Sequence, residues 1–179
     1  MIGDKYIILD RDGVINYDTQ DFIKTPDEWK PLPGSLRAIK KLCDYGYQIV
    51  IITNQSGIGR GLIKPDDFLA INNKLFTEVE KVGGQISSIL YSPSLPNEDS
   101  IYRKPNIGMF LEASKRLNFD LSACYSIGDS PRDIEASVNA QCIPMGVLTG
   151  NGKKIKSNNI YNVQLFKNLD AAVDYITSK

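Results

Sequence analysis

Histidine is absent from all 179 residues of the chain. This absence excludes serine–histidine and cysteine–histidine nucleophiles, zinc sites that use imidazole, and histidine phosphorelay. Acid–base chemistry must therefore come from carboxylates, lysine or tyrosine. Cysteine is scarce as well, because only Cys43, Cys124 and Cys142 are present, and all three lie in apolar patterns. An odd number of scattered cysteines predicts reduced thiols and no disulfide framework, as is typical of cytosolic proteins.

The chain also lacks an excess of either charge and any long apolar run. Lys and Arg together number 21, as do Asp and Glu. There is no basic excess that would attract nucleic acid or an anionic membrane surface. No apolar run approaches the roughly 20 residues of a membrane span, and the first residues lack the apolar core of a signal peptide. We expect a cytoplasmic monomer that binds neither nucleic acid nor a membrane.

Strand-like apolar runs alternate with segments of helical periodicity along the whole sequence. This alternation predicts an α/β fold, namely a doubly wound, mostly parallel sheet with helices on both faces. We expect a single domain over residues 1–179 with no separate cap domain. The predicted strands are 6–9, 47–52, 86–91, 124–127 and 142–148, and the predicted helices begin at Ser35, Pro65, Asn106, near Ile134, and near Leu169. Pro144 predicts an edge or irregular position for the fifth strand.

Two segments show no periodicity and are predicted to border the active site. Residues 13–33 are rich in aspartate, proline and aromatic residues and are too long for a simple strand-to-helix connection, so we interpret them as a flap over the strand ends. Residues 92–103 form a polar, proline-containing loop, interpreted here as a substrate-specificity loop.

The first predicted strand ends in Asp10-Arg-Asp12-Gly13. Residues i and i+2 of a strand face the same way, roughly 7 Å apart. Two carboxylates that converge at a strand end repel each other unless a cation or a proton lies between them. Such a pair suits a Mg²⁺ site at the carboxyl edge of a parallel sheet, where open α/β folds bind their ligands.

Other predicted strands also deliver polar groups at this edge. Thr53-Asn54 follows the second strand, Gly128-Asp129 follows the fourth, and Arg103-Lys104 lies in the loop after the third. Each has an ordinary explanation alone: Asp129 as a helix cap, Lys104 as a solvated loop charge. Their convergence on one edge favours a shared site.

Together these residues fit phosphoryl transfer to an aspartate. Asp10 is the predicted nucleophile, and Mg²⁺ is predicted to be held by Asp10, Asp129 and the backbone carbonyl near Asp12. Asp12 is predicted to protonate the leaving oxygen and then to accept a proton from water. Thr53 and Lys104 would hold the transferring phosphoryl oxygens. Arg103 would bind another anionic part of the substrate.

The order Asp-x-Asp-Gly, Thr-Asn, Lys, Gly-Asp-x-x-x-Asp resembles the haloacid-dehalogenase-like hydrolases. The longer strings 9–13, 53–57 with Arg60-Gly61, and 103–105 are similar to the heptose-bisphosphate phosphatase group, with histidinol-phosphate phosphatases as relatives. The resemblance implies a Mg²⁺-dependent phosphatase that removes the 7-phosphate of D-glycero-D-manno-heptose 1,7-bisphosphate, a step towards the lipopolysaccharide core. It also implies a substrate-binding set that comprises Arg11, Asp18, Thr19, Gln20, Asp21, Asn54, Gln55, Ser56 and Arg103, with Ser130 and Asp133 in support.

One loop departs from the group. Many members carry zinc-binding cysteines and a histidine before the Arg-Lys-Pro string, but here the same frame reads Ser-Pro-Ser at 92–94 and Ser-Ile-Tyr at 100–102. Serine is a poor substitute for thiolate or imidazole, so we predict no zinc. Pro93, Pro96 and packing of Ile101 or Tyr102 are expected to order the loop instead.

Two alternatives stay open at this point. The same chemistry could act on histidinol phosphate or another small phosphomonoester. From a different class, a receiver-like phospho-acceptor domain also offers strand-end aspartates, a threonine and a lysine. Stable phosphorylation of Asp10 with negligible turnover would favour the receiver-like domain. A kinase is disfavoured, since Thr149-Gly-Asn-Gly-Lys153 lacks the hydroxyl residue that follows the lysine of a phosphate-binding loop.

Overall fold

A six-stranded parallel sheet forms the centre of the protein. The computed structural model describes residues 5–19 and 21–179. The strands, in chain order, are β1 (Lys5–Leu9), β2 (Tyr47–Asn54), β3 (Ser88–Ser92), β4 (Tyr125–Gly128), β5 (Ile143–Val147) and β6 (Gln164–Phe166). Their spatial order is β3-β2-β1-β4-β5-β6, and every recorded pairing is parallel.

Helices cover both faces of this sheet. They are α1 (Ser35–Asp44), α2 (Ser56–Gly59), α3 (Pro65–Lys81), α4 (Gly108–Leu117), α5 (Pro131–Asn139), α6 (Gly152–Ser157) and α7 (Leu169–Thr177), with a short 3-10 turn at Leu121–Ala123. Strand residues alternate between two cores: Ile7 and Leu9 pack with α1, α3 and α7, whereas Ile8 packs with α4 and α5. The predicted doubly wound fold is therefore confirmed, with no separate cap.

Pro144 was expected to mark an edge or irregular strand, but β5 pairs with β4 on one side and with β6 on the other. The pairing with β6 begins only at Met145, so Pro144 lies on a part of β5 that has one neighbour and needs no second hydrogen bond. Helix α4 starts at Gly108 rather than Asn106, because the Asn106 side chain donates to the Ser100 carbonyl at 2.8 Å instead of capping.

The topology switches direction between β1 and β4. From β1 the chain proceeds to β2 and β3 on one side, and from β4 to β5 and β6 on the other. Ligands of open α/β sheets bind in the crevice that such a switch creates at the carboxyl ends of the strands. Asp10 and Asp129 directly follow these two strands and therefore lie at the crevice.

The segment 13–33, here called the flap, folds back on itself beside the carboxyl edge. Its two arms are joined by backbone hydrogen bonds from Tyr17 to the Lys30 carbonyl and from Leu32 to the Ile15 carbonyl. Ile15, Ile23 and Trp29 bury their side chains in the main core. Apolar packing thus holds the flap against the sheet. Within the described residues, none of the helices combines the length and apolar character that crossing a bilayer demands.

Candidate active site

A single pocket at the carboxyl edge of the sheet collects most of the predicted residues. Its lining consists of Asp10, Asp12, Asp18, Thr19, Phe22, Ile23, Thr53, Asn54, Gln55, Ser56, Arg103, Lys104, Asp129 and Arg132. These residues come from the ends of β1, β2 and β4, from the starts of α2 and α5, from the flap, and from the loop after β3. Groups separated by more than a hundred positions in sequence therefore face one space.

Lys104 is the buried cation of the pocket. Its ammonium group lies 3.1 Å from Asp10 Oδ1 and 2.7 Å from Asp133 Oδ1, and it donates to the Ile52 carbonyl at 2.7 Å. Burial alone would lower the pKa of this lysine, but the two carboxylates raise it above its ordinary value. Lys104 is therefore charged beside Asp10, where it can neutralise the oxygens of a phosphoryl group.

Asn54, the last residue of β2, fixes the backbone of Lys104. Its side-chain amide donates to the Lys104 carbonyl and its side-chain oxygen accepts from the Lys104 N–H, both at 3.0 Å. This pair of hydrogen bonds resembles the pairing of two residues on neighbouring β-strands. It joins the strand end to the loop that carries Arg103, and so sets where the Lys104 side chain enters the pocket.

Asp12 is surrounded by hydrogen-bond donors. Oδ1 accepts from Arg11 Nε at 3.1 Å and from Asn16 at 2.8 Å, and Oδ2 accepts from Arg11 Nη2 at 3.0 Å and from Gln55 at 2.7 Å. Burial opposes ionisation, but the Arg11 charge and these bonds lower the pKa of Asp12 below its ordinary value. Gln55 also donates to Thr53 Oγ1 at 3.0 Å, and this links the predicted proton-transfer group to the predicted phosphoryl-binding hydroxyl.

In contrast to Asp12, Asp10 and Asp129 have raised pKa values. Burial, together with the nearby charge of Asp133, raises the pKa of Asp10 to about 6 despite the attraction of Lys104. Burial and the charges of Asp10 and Asp133 raise the pKa of Asp129 to about 8. Buried carboxylates held this close together, and neutralised only in part by Lys104, are typical of a site that binds a further cation.

The donor set fits a hard divalent cation. Oxygens of Asp10, Asp129 and Asp133 lie within 4.8 Å of one another, and all are carboxylate oxygens, which Mg²⁺ prefers. Asp133 is already paired with Lys104 and accepts from the Ser130 N–H at 3.0 Å and the Ser130 hydroxyl at 2.5 Å. Asp10 and Asp129 are therefore the better ligands of the three, and Asp133 balances the charge of Lys104.

Two of the predicted substrate-binding residues that the structure describes, Arg11 and Asp21, are not part of the pocket lining. The Arg11 side chain is buried, and it contacts Asp12, Asn72 and the ring of Phe68 instead. Asp21 lies on a neighbouring surface groove of the flap. Gln20 falls outside the described residues. The structure thus gives Arg11 a place behind Asp12 rather than against a substrate.

Arg103 and Arg132 give the pocket lining two neighbouring guanidinium groups. Arg103 donates to the Ser94 carbonyl at 2.8 Å, and burial followed by the charges of Arg132 and Arg60 lowers its pKa. Arg132, in the first turn of α5, lines the pocket but was missed by the sequence reasoning. Its position three residues after a predicted strand-end aspartate was a usable signal.

The loop 92–103 is not ordered in the expected way. Ile101 and Tyr102, which were expected to pack, are exposed, Ile101 to 67%. Backbone contacts hold the loop instead: a Cβ on Gly108 would lie 2.5 Å from the Ile101 carbonyl oxygen, and one on Gly59 would lie 2.4 Å from that of Pro93. Glycine at these two positions permits the close approach.

Comparisons with known proteins place these features in a family. The family model described as polynucleotide kinase 3 phosphatase matches residues 5–142. D-glycero-beta-D-manno-heptose-1,7-bisphosphate 7-phosphatase of Bordetella bronchiseptica is 43% identical over 150 residues, which are 84% of this chain and 84% of that relative. The enzyme of the same name from Pseudomonas aeruginosa is 42% identical over 146 residues, or 82% of each chain.

The chain belongs to the heptose-bisphosphate phosphatase family of haloacid-dehalogenase-like hydrolases. The crystal structure of D,D-heptose 1,7-bisphosphate phosphatase from B. bronchiseptica, complexed with magnesium and phosphate, superposes with a TM-score of 0.94 at 38% identity and covers 97% of this chain and 98% of that one. The Burkholderia thailandensis enzyme gives a TM-score of 0.76 at 34% identity, with 98% and 99% covered. The predicted family and the predicted phosphatase class are confirmed.

Proposed function

We propose that this chain hydrolyses the 7-phosphate of D-glycero-D-manno-heptose 1,7-bisphosphate through a phosphoenzyme formed on Asp10. The observation that carries this proposal is the pocket itself. Asp10 and Lys104 line it together with the neighbouring guanidinium groups of Arg103 and Arg132. A small sugar with two phosphates can present one to Asp10 and Lys104 and the other to these arginines, and the curated relatives carry the corresponding name.

The first half-reaction forms a bond between Asp10 and phosphorus and breaks the bond to the sugar oxygen. Lys104 Nζ, 3.1 Å from Asp10, and the buried Thr53 hydroxyl are placed to hold the phosphoryl oxygens. Asp12 gives a proton to the leaving oxygen. Because Arg11 and Gln55 favour the ionised form of Asp12, this carboxylate must gain its proton as the substrate binds.

The second half-reaction returns Asp10 to its starting state. Water attacks phosphorus, Asp12 removes its proton, and the bond between Asp10 and phosphorus breaks to release inorganic phosphate. The four hydrogen bonds to Asp12 keep the carboxylate oriented and ionised, which is the form that accepts this proton.

The residues that would hold Mg²⁺ are Asp10, Asp129 and the backbone carbonyl of Asp12. The raised pKa values of Asp10 and Asp129 support this, because a shared cation relieves their mutual repulsion. When bound, Mg²⁺ supplies positive charge that offsets the repulsion between the Asp10 carboxylate and the phosphate oxygens. Absence of zinc stays a prediction, as do the monomeric state, the cytoplasmic location and the lack of nucleic-acid binding.

The guanidinium groups of Arg103 and Arg132 disfavour histidinol phosphate as the substrate. Its amine is cationic near neutral pH, and two cationic side chains in the pocket lining would repel it. A receiver-like phospho-acceptor has no need of a second group of anion-binding side chains. The roles of Asp18 and Thr19 in the pocket wall, and of the loop 92–103 in specificity, are proposals that the same experiments examine.

The test is a substrate panel with and without Mg²⁺. Heptose 1,7-bisphosphate, fructose 1,6-bisphosphate and histidinol phosphate are compared by phosphate release, in the presence of Mg²⁺ or a chelator. We expect the heptose bisphosphate to give the highest kcat/KM and the chelator to abolish turnover. Higher kcat/KM on histidinol phosphate would overturn the substrate assignment.

Asp10→Asn tests the nucleophile. We expect a loss in kcat of at least about 10⁴-fold, because an amide does not attack phosphorus, while the circular dichroism and melting temperature remain those of a folded protein. Asp44→Asn is the matched control, since Asp44 is paired with Lys40 at the surface and does not line the pocket. Retained activity in Asp10→Asn would contradict the assignment.

A further inference from the structure

The loop of residues 149–152, which joins β5 to α6, contacts both Asp129 in the pocket and the flap. The Asn151 N–H donates to Asp129 Oδ2 at 2.7 Å, and the Asn151 side-chain amide donates to Asp18 Oδ2 at 3.0 Å and lies 3.5 Å from Asp129 Oδ2. Thr149 Oγ1 donates to the Gly13 carbonyl at 2.6 Å. One short loop therefore connects a proposed cation ligand with a flap residue that lines the pocket.

Asp129 is confined between two glycines. A Cβ on Gly150 would lie 2.0 Å from Asp129 Oδ2 and 2.7 Å from Gly13 Cα, and a Cβ on Gly13 would lie 2.1 Å from the same oxygen. Both glycines have positive φ, 53° and 81° respectively. No other residue permits this approach, so the position of the carboxylate is set by backbone on both sides.

The two carboxylate oxygens of Asp129 have different surroundings. Both contacts from Asn151 end on Oδ2, and neither reaches Oδ1. A carboxylate whose one oxygen is occupied by N–H donors presents the other to a cation, and fixed outer contacts of this kind usually tune metal affinity.

We propose that Gly150 and Asn151 are positioning residues of the cation site, and that Asn151 links Asp129 to Asp18 so that cation binding orders the flap. The inference rests on the proposed Mg²⁺ site. Gly150 fixes the direction of Asp129. The side-chain nitrogen of Asn151 contacts both Asp129 Oδ2 and Asp18 Oδ2, so the position of Asp129 affects the position of Asp18. Coupling between two sites requires such a shared contact.

The experiment uses Mg²⁺ alone as the probe, with two measurements on the full chain. Calorimetry gives Mg²⁺ affinity, and hydrogen exchange gives the protection of flap amides. In the wild type we expect Mg²⁺ to bind and to slow exchange of amides in residues 13–24 by about fivefold or more. Neither measurement depends on turnover.

Gly150→Ala and Asn151→Ala separate the two halves of the proposal. Gly150→Ala displaces Asp129, and we expect Mg²⁺ affinity to fall by about 10-fold or more. Gly46→Ala is its control, because Gly46 also has positive φ, 80°, but a Cβ there meets nothing within 4 Å. Asn151→Ala keeps the N–H that holds Asp129, so Mg²⁺ affinity should fall only by the factor by which Mg²⁺ slows flap exchange in the wild type, about fivefold, while the flap response is lost.

Asp18 variants provide a conservative rescue. Asp18→Asn retains an acceptor oxygen for the Asn151 amide and should keep the flap response, whereas Asp18→Ala should lose it. Asn158→Ala, at the other end of α6, should leave both measurements unchanged. A structural defect alone would not distinguish Asp18→Asn from Asp18→Ala in this way.

The outcomes also distinguish this inference from the proposed function. If the wild type binds no Mg²⁺, both fail. If the wild type binds Mg²⁺ and releases phosphate but the Asn151→Ala flap responds as the wild type does, the linkage is wrong and the phosphatase assignment stands. Equal losses of affinity in Gly150→Ala and Gly46→Ala would show backbone strain only and would overturn the positioning role.

Discussion

The flap and the loop 92–103 border the same pocket, but different forces hold them. The flap buries Ile15, Ile23 and Trp29 in the main core, so its position follows from apolar packing. The loop leaves Ile101 and Tyr102 exposed and relies on polar and backbone contacts. Both segments contribute side chains to the pocket lining. The comparison teaches that the flap is fixed by the fold, whereas the loop depends on local contacts.

Trp29→Ala is expected to have the largest effect on this comparison. Removing a fully buried indole leaves a cavity beneath the flap, and large-to-small changes of this kind cost about 3–5 kcal/mol of unfolding free energy. Urea denaturation measures the change. Trp29→Phe, which keeps an aromatic ring in the core, should cost clearly less. Equal stability of Trp29→Ala and the wild type would show that packing does not hold the flap.

Arg103→Ala is expected to lower activity on bisphosphate substrates selectively. Loss of a guanidinium that binds the second phosphate should lower kcat/KM on the bisphosphate by about 10- to 100-fold, while simple monoesters lose much less. Steady-state kinetics on heptose 1,7-bisphosphate and on a monophosphate measure the two effects. Arg116→Ala, on the surface of α4 and paired with Glu112, is the control. Equal losses on both substrates would remove the recognition role.

The raised pKa values of Asp10 and Asp129 predict that the stability of the metal-free protein depends on pH. The pKa values of Asp10 and Asp129 are raised from 3.8 to about 6 and about 8, so the folded state binds more protons than the unfolded state between these limits. These two groups therefore reduce stability as pH rises from about 4 to 8. We expect Mg²⁺ to raise the melting temperature more at pH 8 than at pH 5.5, because binding at low pH must displace protons. An equal rise at both pH values would contradict the shared-cation account.

Ile101→Ala is expected to have the smallest effect. Its side chain is 67% exposed, so truncation should change the unfolding free energy by no more than about 0.5 kcal/mol. Urea denaturation beside Trp29→Ala gives the comparison directly. A loss of about 2 kcal/mol or more would mean that apolar packing orders the loop after all.

The strand ends were predictable because a parallel sheet brings the carboxyl ends of its strands to one edge. Asp10, Thr53 and Asp129 needed only this rule and the alternation of apolar runs. Asn151 also follows a strand, β5, but it lies in Thr149-Gly-Asn-Gly-Lys153, a string that resembles part of a phosphate-binding loop and gives no sign of a contact with Asp129. Arg132 was not predicted to line the pocket because a charged residue in the first turn of a helix is usually solvated.

Other features depend on contacts between distant segments, which no local pattern reveals. Arg11 looked like a pocket residue beside Asp10, but its guanidinium turns to Asp12 and to Asn72 of α3. Pro144 looked like an edge signal because the point at which pairing with β6 begins was not visible in sequence. The short helices α2 and α6 lack enough residues for a periodic pattern.

The most direct measurement of the central claim is chemical trapping of the phosphorylated nucleophile. Enzyme turning over the bisphosphate with Mg²⁺ is quenched with borohydride, which reduces an acyl phosphate to an alcohol, and the peptides are sequenced by mass spectrometry. We predict homoserine in place of Asp10 and unchanged aspartate at positions 12, 129 and 133. Reduction at another of these carboxylates, or none under conditions in which a matched aspartyl-phosphate enzyme is trapped, would contradict Asp10 as the nucleophile.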